Sequence, residues 1–368
     1  MTFILKGYTL GYRIVSLALT EEVRDNLLSS GLETMLVGKS TIILYPSGDI
    51  LTEEANIIER ASQFNNFDVL AIWRNGLVTR LYDDKSVDNF FFITGRCNSN
   101  CIMCPSPETS RRNAPVAELA ELLQIAKHIP RDTPHLTITG GEPFLMGRRI
   151  FPFLNFLRGR FTDTEFLVLT NGRIFSVEEY TDLFYENMPQ NTVVAIPIHG
   201  SNAAIHDNIT QTQGSFIQTK QGLHNLLKRG IRIEIRIVVS KKNIDDFDAI
   251  ADLIIKHFKG IEYISVIAME MTGSAKKNAN ELWIPYRQAF SMISSSITKL
   301  IKNGINIKLY NYPICTVEKP FRTLCEKSIS PNKVRFGTIC EQCIYKTACG
   351  GIFAGTFQFE EKEIEAIL

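Results

Sequence analysis

From about residue 89 onward, short apolar segments alternate with longer amphipathic ones. Apolar runs rich in β-branched residues predict strands, and apolar positions repeating every three or four residues predict helices. The predicted strands are residues 89–94, 135–139, 165–170, 192–198, 231–239 and 261–267. Predicted helices follow them at residues 116–129, 149–161, 177–187, 216–228, 245–258 and 285–303. This alternation predicts a parallel sheet with crossover helices, built either as a partial, open (β/α)6 barrel or as a doubly wound open sheet.

The first 88 residues have a less regular pattern. Strands are predicted at residues 4–10, 41–45 and 77–82, and one amphipathic helix at residues 53–63. Turn signals separate them, as at Pro46-Ser47-Gly48-Asp49 and Asn75-Gly76. Residues 1–88 therefore form a small α/β segment without a chemical motif. It serves either as a structural cap on the following domain or as a docking surface for a peptide or partner protein.

The alternation ends at Gly304. A strand is predicted at residues 305–314, and five of the chain's eight cysteines follow Gly304. The pattern thus predicts three parts: the N-terminal segment (residues 1–88), a strand–helix domain (residues 89–304) and a cysteine-rich tail (residues 305–368).

Composition narrows the class of protein. The chain has 368 residues, of which 45% are apolar and 21% charged, and its net charge is +1, so no broad attraction to nucleic acid is predicted. No apolar run approaches the roughly 20 residues of a membrane helix, and no signal peptide is recognisable near the start. Eight cysteines without an export signal predict a cytoplasmic protein that uses thiols for metal binding rather than for disulfides.

Three cysteines lie close together in sequence, just after the first predicted strand of the strand–helix domain. Cys97, Cys101 and Cys104 are separated by three residues and then by two. Thiolates packed this closely are soft ligands for zinc or an iron–sulfur cluster. A structural zinc site needs a fourth ligand nearby. Three thiolates on one loop fit a four-iron cluster with one iron left open to a chelating substrate.

The other reactive positions follow other strands of the same predicted sheet. Either architecture places the functional loops at the carboxyl ends of the strands. Polar or glycine-rich positions occur there at residues 140–143, 170–172 and 199–201, and at the polar end of the fifth strand, where alternation puts Arg236 on one face with Glu234. The sequence therefore predicts that these residues meet the three cysteines.

The cysteine loop, followed by Gly140-Gly141-Glu142-Pro143 at a strand end, resembles the motif pair of the radical S-adenosylmethionine (SAM) superfamily. The resemblance implies the partial barrel, a [4Fe-4S] cluster on the three cysteines, and SAM bound at its open iron. It also implies a one-electron reductant such as flavodoxin or ferredoxin, and cleavage of SAM to a 5′-deoxyadenosyl radical.

The same resemblance implies roles for individual residues. Met103 takes the position that packs on adenine, and the two glycines let the backbone approach the methionine ammonium. Glu142 is either a counter-charge or a loop brace, and Pro143 stiffens the turn.

Further SAM contacts are expected on three other strands. Arg236 pairs either with the SAM carboxylate or with Glu234, and Asn171 either bonds the ribose or caps the next helix. Residues 196–216 resemble a stretch of radical SAM peptide maturases, in which Ser201 is expected to contact SAM and His199 to bind SAM or act as the catalytic acid or base. The neighbouring His206-Asp207 pair is expected to brace the loop.

The tail carries a second cysteine pattern. Cys340-x2-Cys343-x5-Cys349-Gly-Gly resembles the auxiliary-cluster segment of SPASM and Twitch domains, with Phe353 where another cysteine is usual. We therefore predict one auxiliary [4Fe-4S] cluster on these three cysteines, with Cys315 as the fourth ligand and Cys325 as its alternative. A four-cysteine zinc site is the competing interpretation.

Together with residues 139–143 and 205–207, the tail resembles the C-type radical SAM maturase of the His-Xaa-Ser repeat peptide system. The expected function is C–H modification, such as a cross-link, in a ribosomally made precursor peptide, with a partner maturase assisting. The alternatives are a radical SAM enzyme acting on a small molecule and a non-catalytic, metal-bearing scaffold for a partner maturase.

Overall fold

A computed structural model describes residues 2–368. Its N-terminal part is a seven-stranded, mostly antiparallel sheet with two helices, in the strand order β1-β7-β6-β2-β3-β4-β5. The elements are β1 (Thr2–Ile4), β2 (Arg13–Ala18), α1 (Glu21–Ser29), β3 (Thr34–Val37), β4 (Thr41–Tyr45), β5 (Asp49–Thr52), α2 (Ala55–Ala61), β6 (Val69–Ile72) and β7 (Leu77–Tyr82).

The sequence prediction for this part was incomplete and partly wrong. Residues 41–45 and 77–82 are strands and residues 55–61 a helix, as expected. The strand predicted at residues 4–10 ends at Ile4, because Lys6 and Gly7 form a turn in which Gly7 has a φ of 68°. Strands β2, β3, β5 and β6 and helix α1 were missed. Strands β3 and β6 are four-residue segments buried throughout, which periodicity cannot distinguish from other apolar runs.

The N-terminal sheet packs on the next part of the chain. Ile14 and Val69 join the large core of the strand–helix domain. The Ser16 hydroxyl lies 2.9 Å from Nδ1 of the buried His128, which ends helix α4 (Leu119–His128), and Tyr12 donates to Glu121 of the same helix. These contacts join the N-terminal sheet to the barrel, and its role as a structural cap or as a docking surface stays a prediction.

The second sheet has eight strands, all parallel, in the order β15-β14-β13-β12-β11-β10-β9-β8. Every strand lies beside its neighbour in sequence, so the order never reverses as it does in a doubly wound sheet. The strands are β8 (Phe90–Phe92), β9 (His135–Thr139), β10 (Glu165–Leu169), β11 (Thr192–Pro197), β12 (Arg232–Val238), β13 (Tyr263–Ile267), β14 (Ile307–Tyr310) and β15 (Cys325–Glu326). The α/β barrel prediction is confirmed, with all six predicted strands present.

Helices follow the barrel strands as the periodicity predicted, and short helices occupy several connections. Besides α4 they are α3 (Glu108–Asn113), α5 (Ile150–Arg160), α6 (Glu178–Asn187), α7 (Ala203–Thr210), α8 (Ser215–Lys228), α9 (Phe247–His257), α10 (Gly273–Lys277), α11 (Ala279–Leu282) and α12 (Tyr286–Lys302). Strand β12 shows how the layers form: Ile233, Ile235 and Ile237 are fully buried in the core shared with the helices, while Glu234 and Arg236 point to the opposite face.

The tail begins within the barrel sheet. Strand β14 pairs with β13, so the strand expected at residues 305–314 extends that sheet. The rest of the tail contains a separate two-stranded antiparallel sheet, formed by β16 (Val334–Arg335) and β17 (Ile352–Phe353), and the helix α13 (Phe357–Glu360). Within residues 2–368, no helix combines the length and apolar character needed to cross a membrane.

Helix α13 fixes the end of the chain to the start of helix α12. The buried carboxylate of Glu360 accepts the Tyr286 backbone N–H at 3.2 Å, and the Phe359 and Trp283 rings lie 5.3 Å apart. Burial raises the pKa of Glu360 to about 8, and the nearby Glu363 adds to the effect. The folded state therefore holds a proton on Glu360 at a pH where the unfolded chain has lost it.

This difference predicts a pH dependence of stability. Between the unfolded pKa near 4.5 and the folded pKa near 8, the native state binds more protons, so stability falls as pH rises, by at most about 1.4 kcal/mol per pH unit. We expect the Tm of the wild type to fall from pH 6 to pH 9 more steeply than that of Glu360→Gln, measured by differential scanning fluorimetry. Parallel Tm curves for the two proteins would contradict a proton on Glu360.

Candidate functional site

The carboxyl ends of the barrel strands bring the predicted site residues to one end of the sheet. The Cys97 loop follows β8, Gly140 follows β9, Asn171 follows β10 and His199 follows β11. Parallel pairing of these four strands in sequence order places the loops side by side. The four loops therefore lie along one edge of the sheet in chain order.

The cysteine loop is held in place by backbone contacts from neighbouring loops. The backbone N–H groups of Asn100 and Ile102 donate to the Thr210 and Ile209 carbonyls at the end of α7, both at 3.0 Å. The Asn278 amide donates to the Ile102 carbonyl at 2.8 Å. These bonds join the loop to the end of α7 and to Asn278.

The three thiols of this loop lie close enough to influence one another. Burial raises the pKa of the Cys101 thiol to about 12, and the Cys97 and Cys104 thiols add to the shift. The Ser99 backbone N–H donates to Cys97 Sγ at 3.4 Å, a contact that favours the thiolate. All three cysteines are free, and their donor set fits an iron–sulfur cluster. Within residues 2–368, no three His, Cys, Asp or Glu side chains are grouped so as to hold a single metal ion.

Gly140 and Gly141 pack directly against the cysteine loop. The Gly141 N–H donates to the Thr94 carbonyl and the Glu142 N–H to the Arg96 carbonyl, both at 2.8 Å. A Cβ on Gly141 would lie 2.6 Å from the Gly95 carbonyl oxygen and closer still to that of Arg96. The sequence suggested that these residues are glycines so that the backbone can approach the methionine part of SAM. The structure gives a second reason, because the turn packs closely against the backbone of the cysteine loop.

Glu142 braces the loops after β9 and β10. Its fully buried carboxylate accepts the Thr170 hydroxyl at 2.9 and 3.0 Å, the Asn171 N–H at 2.8 Å and the Phe144 N–H at 3.1 Å. Burial raises its pKa, although these bonds act in the opposite direction. Pro143 begins the short helical turn that follows. The bonds of Glu142 join the two loops, and its role towards SAM stays a prediction.

Two residues after β10 fasten the cysteine loop from the side. The Asn171 side-chain amide donates to Asn98 Oδ1 at 2.6 Å, and Arg173 Nη1 donates to the Asn98 carbonyl at 2.7 Å. Asn171 Oδ1 also accepts the Arg173 N–H at 3.1 Å. The residue at the N-cap of this short helical turn is Gly172, so the role of Asn171 towards SAM or as a helix cap stays a prediction. Arg173 and Asn98 were missed, because their significance depends on the pairing of β9 with β10.

His199 is buried at the end of β11 and stacks on His206. The two ring centroids are 5.5 Å apart with an interplanar angle of 27°, and the His199 backbone N–H donates to His206 Nδ1 at 3.1 Å. Burial lowers both pKa values, that of His206 to about 4, so both rings are neutral. His199 Nδ1 is fully buried and has no hydrogen-bond partner among residues 2–368.

The His206-Asp207 pair braces its surroundings, as expected. His206 accepts the His199 N–H, and Asp207 accepts from Gly214 N, Ser215 Oγ and Phe216 N at 2.7–2.8 Å, which organises the start of α8.

Three other predicted SAM-contacting residues are engaged within the protein. Ser201 Oγ donates to Asp246 at 2.7 Å. Arg236 Nη1 lies 3.0 Å from the fully buried Glu234, the ion pair that was the alternative to SAM binding. Met103 is buried in an apolar cluster with Ile209, Met269, Met271, Ala275 and Leu282. Their roles towards SAM stay predictions.

The tail brings four of its five cysteines together. Cys315, Cys340, Cys343 and Cys349 line one small cavity, and three backbone N–H groups donate to sulfurs at 3.4 Å: Ile314 and Gly351 to Cys349, and Ile367 to Cys343. Cys325 does not line this cavity, although it lies near enough to Cys349 and Cys315 for their thiols to raise its pKa. Thiolates are the ligands that hold iron–sulfur clusters, so the donor type of these four residues fits a cluster.

Comparison with known proteins identifies relatives of the barrel. Residues 91–254 match the profile of the Radical SAM superfamily. An AdoMet-dependent heme synthase of Methanosarcina barkeri is 29% identical over 159 residues, which cover 42% of this chain and 43% of the relative. The Fe-coproporphyrin III synthase of the same organism is 25% identical over 233 residues, covering 60% of this chain and 54% of the relative. The chain thus spans about half the length of these curated relatives.

A solved structure shares the fold over a longer stretch. Streptococcus suis SuiB bound to S-adenosylmethionine aligns with a TM-score of 0.50 and 11% identity, covering 75% of this chain and 71% of SuiB. The alignment extends beyond the 164-residue profile match and supports the α/β architecture of the barrel.

Proposed function

Because residues 91–254 match the profile of the Radical SAM superfamily, we propose that the protein binds a [4Fe-4S] cluster through Cys97, Cys101 and Cys104 and cleaves SAM reductively. The observation that carries this proposal is the meeting of three free thiols with the Gly-Gly-Glu-Pro turn at one end of the barrel. When bound, the cluster supplies the electron that breaks the sulfonium S–C bond and yields a 5′-deoxyadenosyl radical. SuiB, which shares the fold, was crystallised with SAM.

Residues around the cysteine loop fix the neighbouring loops and are proposed to contact SAM. Glu142, Asn171 and Arg173 keep the loops that face the cluster in register. The neutral, buried His199 offers its unbonded Nδ1 to SAM or to a proton of the substrate. Ser201, Arg236 and Met103 are proposed to contact SAM only after exchanging their present partners.

We propose a ribosomally made precursor peptide as substrate, modified at a C–H bond. The cysteine pattern of the tail supports this, since it resembles that of peptide maturases. The N-terminal sheet supports it too: the outer edge of β5 pairs with no strand among residues 2–368, and Ile50 on it is 65% exposed. An unpaired strand edge can take up an extended peptide.

The test uses anaerobically reconstituted protein, an external one-electron reductant, SAM and candidate peptides. We expect 5′-deoxyadenosine together with a change in peptide mass, and transfer of deuterium from a labelled peptide into the nucleoside. Formation of the nucleoside without deuterium from any peptide would reject the peptide substrate and leave SAM cleavage standing. A partner maturase, if one is needed, appears as a stimulation of this reaction.

A small-molecule substrate is the second candidate. The two curated relatives, by their names a heme synthase and an Fe-coproporphyrin III synthase, favour it. The same deuterium-transfer assay with Fe-coproporphyrin III in place of the peptide distinguishes the candidates.

We further propose one auxiliary [4Fe-4S] cluster in the tail, held by Cys315, Cys340, Cys343 and Cys349. The shared cavity and the N–H contacts to sulfur support these four ligands, and they favour Cys315 over Cys325 as the fourth. Zinc is the alternative metal for the same thiols.

Matched serine variants test this ligand set. We expect Cys315→Ser to lose most of the iron and labile sulfide assigned to the tail, because a buried ligand position is removed. We expect Cys325→Ser to keep both, because its thiol lies outside the cavity. Iron and zinc per chain, measured by mass spectrometry, decide the outcome. A loss in Cys325→Ser with full loading of Cys315→Ser would reverse the assignment, and zinc in place of iron would reject the cluster.

A further inference from the structure

Arg111 is a buried cation directly beneath the cysteine loop. It is 5% exposed, its Nη1 donates to the Cys101 carbonyl at 3.0 Å, and its Nη2 donates to Ser274 Oγ at 2.9 Å. Its own carbonyl accepts the Cys97 backbone N–H at 3.0 Å. The side chain is thus bonded to two of the segments that shape the candidate cluster site.

The guanidinium lacks a counter-charge. Among residues 2–368, no carboxylate forms an ion pair with it, and its buried Nε has no hydrogen-bond partner. The adjacent Arg112 differs: it is exposed and pairs with Glu108. Removing a charge from water costs several kcal/mol when no opposite charge compensates it. An opposite charge is therefore expected beside Arg111 in the working protein.

The three cysteines provide that charge when they bind a cluster. Ligation removes the protons of the thiols, and a four-iron cluster on three thiolates is an anion that becomes more negative when reduced. A fixed cation in a poorly solvated site stabilises the more negative state more strongly than the less negative one.

We propose that Arg111 is a positioning residue that acts as the buried counter-ion of the cluster at Cys97, Cys101 and Cys104 and raises its reduction potential. The inference rests on the proposed function, since it requires a cluster at that loop. The charge of Arg111 favours the reduced cluster, and its two hydrogen bonds hold that charge in place.

The experiment is a redox titration of the reconstituted full chain with dithionite, following the EPR signal that responds to added SAM. At the potential where the wild-type cluster is half reduced, we expect Arg111→Gln to have an about tenfold lower ratio of reduced to oxidised cluster. For one electron this equals about 59 mV towards more negative potential. Arg111→Lys, which keeps the charge, should recover most of the difference, and Arg112→Gln should match the wild type.

A second pair of variants covers the case in which Arg111→Gln does not fold or load iron. Ser274→Asp places a carboxylate beside Nη2 and neutralises the cation without removing it, so it should lower the ratio as Arg111→Gln does. Ser274→Ala, which removes only a hydrogen bond, should not.

Three outcomes separate the claims. The counter-ion role of Arg111 is rejected if iron-loaded Arg111→Gln has an unchanged reduction potential. It is also rejected if Ser274→Asp and Ser274→Ala have equal reduction potentials. Equal losses in Arg111→Lys and Arg111→Gln overturn it too, because the hydrogen bonds would then be the cause. If the wild-type protein takes up no iron at the three cysteines, the proposed function itself is rejected.

Discussion

Alanine in place of Cys101 is expected to reduce 5′-deoxyadenosine formation to background. Cys101 is the middle cysteine of the three in sequence and lies near enough to Cys97 and Cys104 for their thiols to raise its pKa. Two remaining thiols cannot hold a cluster with a single open iron. Loss of residues that only orient metal ligands typically costs 10–100-fold in affinity or activity, and loss of a ligand is expected to cost more. Chromatography of the nucleoside after reduction with dithionite measures the effect.

The matched control is Cys325→Ala. This thiol is also partly buried and has a pKa raised to about 12 by burial, but it lies on β15, away from the cysteine loop. We expect it to keep wild-type nucleoside formation. If Cys101→Ala instead retained the activity of the complete system with a partner maturase, the chain would be a scaffold rather than the enzyme.

The barrel was predictable because its sequence repeats one unit. Each strand–helix pair has a strand that is buried on its helix-facing side and an amphipathic helix, and the two periodicities differ clearly. What the sequence left open was the order of the strands, since a barrel and a doubly wound sheet share the same local pattern. Parallel pairing of β10 with both β9 and β11 decides the question, and such pairing is a property of the tertiary structure.

The N-terminal sheet was poorly predicted for a related reason. Its strands are short, and β3 and β6 are buried along their whole length, so they show no alternation. Strand β2 pairs in parallel with β3 and antiparallel with β6, although β6 lies about fifty residues away in the chain. Long-range pairing of this kind leaves little trace in a local pattern.

The sequence proposes where the candidate site lies, but it predicted only a small part of the hydrogen bonding there. The motifs identified the cysteines, the glycines and His199, because each motif stands at a strand end. The partner of Ser201, which is Asp246, depends on which side chains the folded loops bring together. The Arg236–Glu234 pair differs, because alternation along one strand had already named Glu234 as one of two possible partners. Arg111 was missed because in the sequence it is one of two adjacent arginines, and only burial distinguishes it from Arg112.

The second large effect is expected from a single methyl group at Gly141. A Cβ there would lie 2.6 Å from the Gly95 carbonyl oxygen and nearer still to the Arg96 carbonyl oxygen, and both are backbone atoms that no rotamer change can move. Gly141→Ala must therefore push the Gly-Gly-Glu-Pro turn away from the cysteine loop and break the bonds to the Thr94 and Arg96 carbonyls. Steric strain of this kind in a packed region typically costs 1–3 kcal/mol or more.

We expect Gly141→Ala to lower the Tm by several degrees and to lose iron at the cysteine loop together with SAM cleavage. Gly159→Ala is the matched control, because Gly159 lies in helix α5 with open space around its Cβ position. Alanine in an exposed helix is favoured over glycine by about 1 kcal/mol, so this variant should keep its iron and gain slightly in Tm. Full iron loading and an unchanged Tm in Gly141→Ala would contradict the close contact between the Gly-Gly-Glu-Pro turn and the cysteine loop. The proposed site, which depends on this contact, would then be rejected.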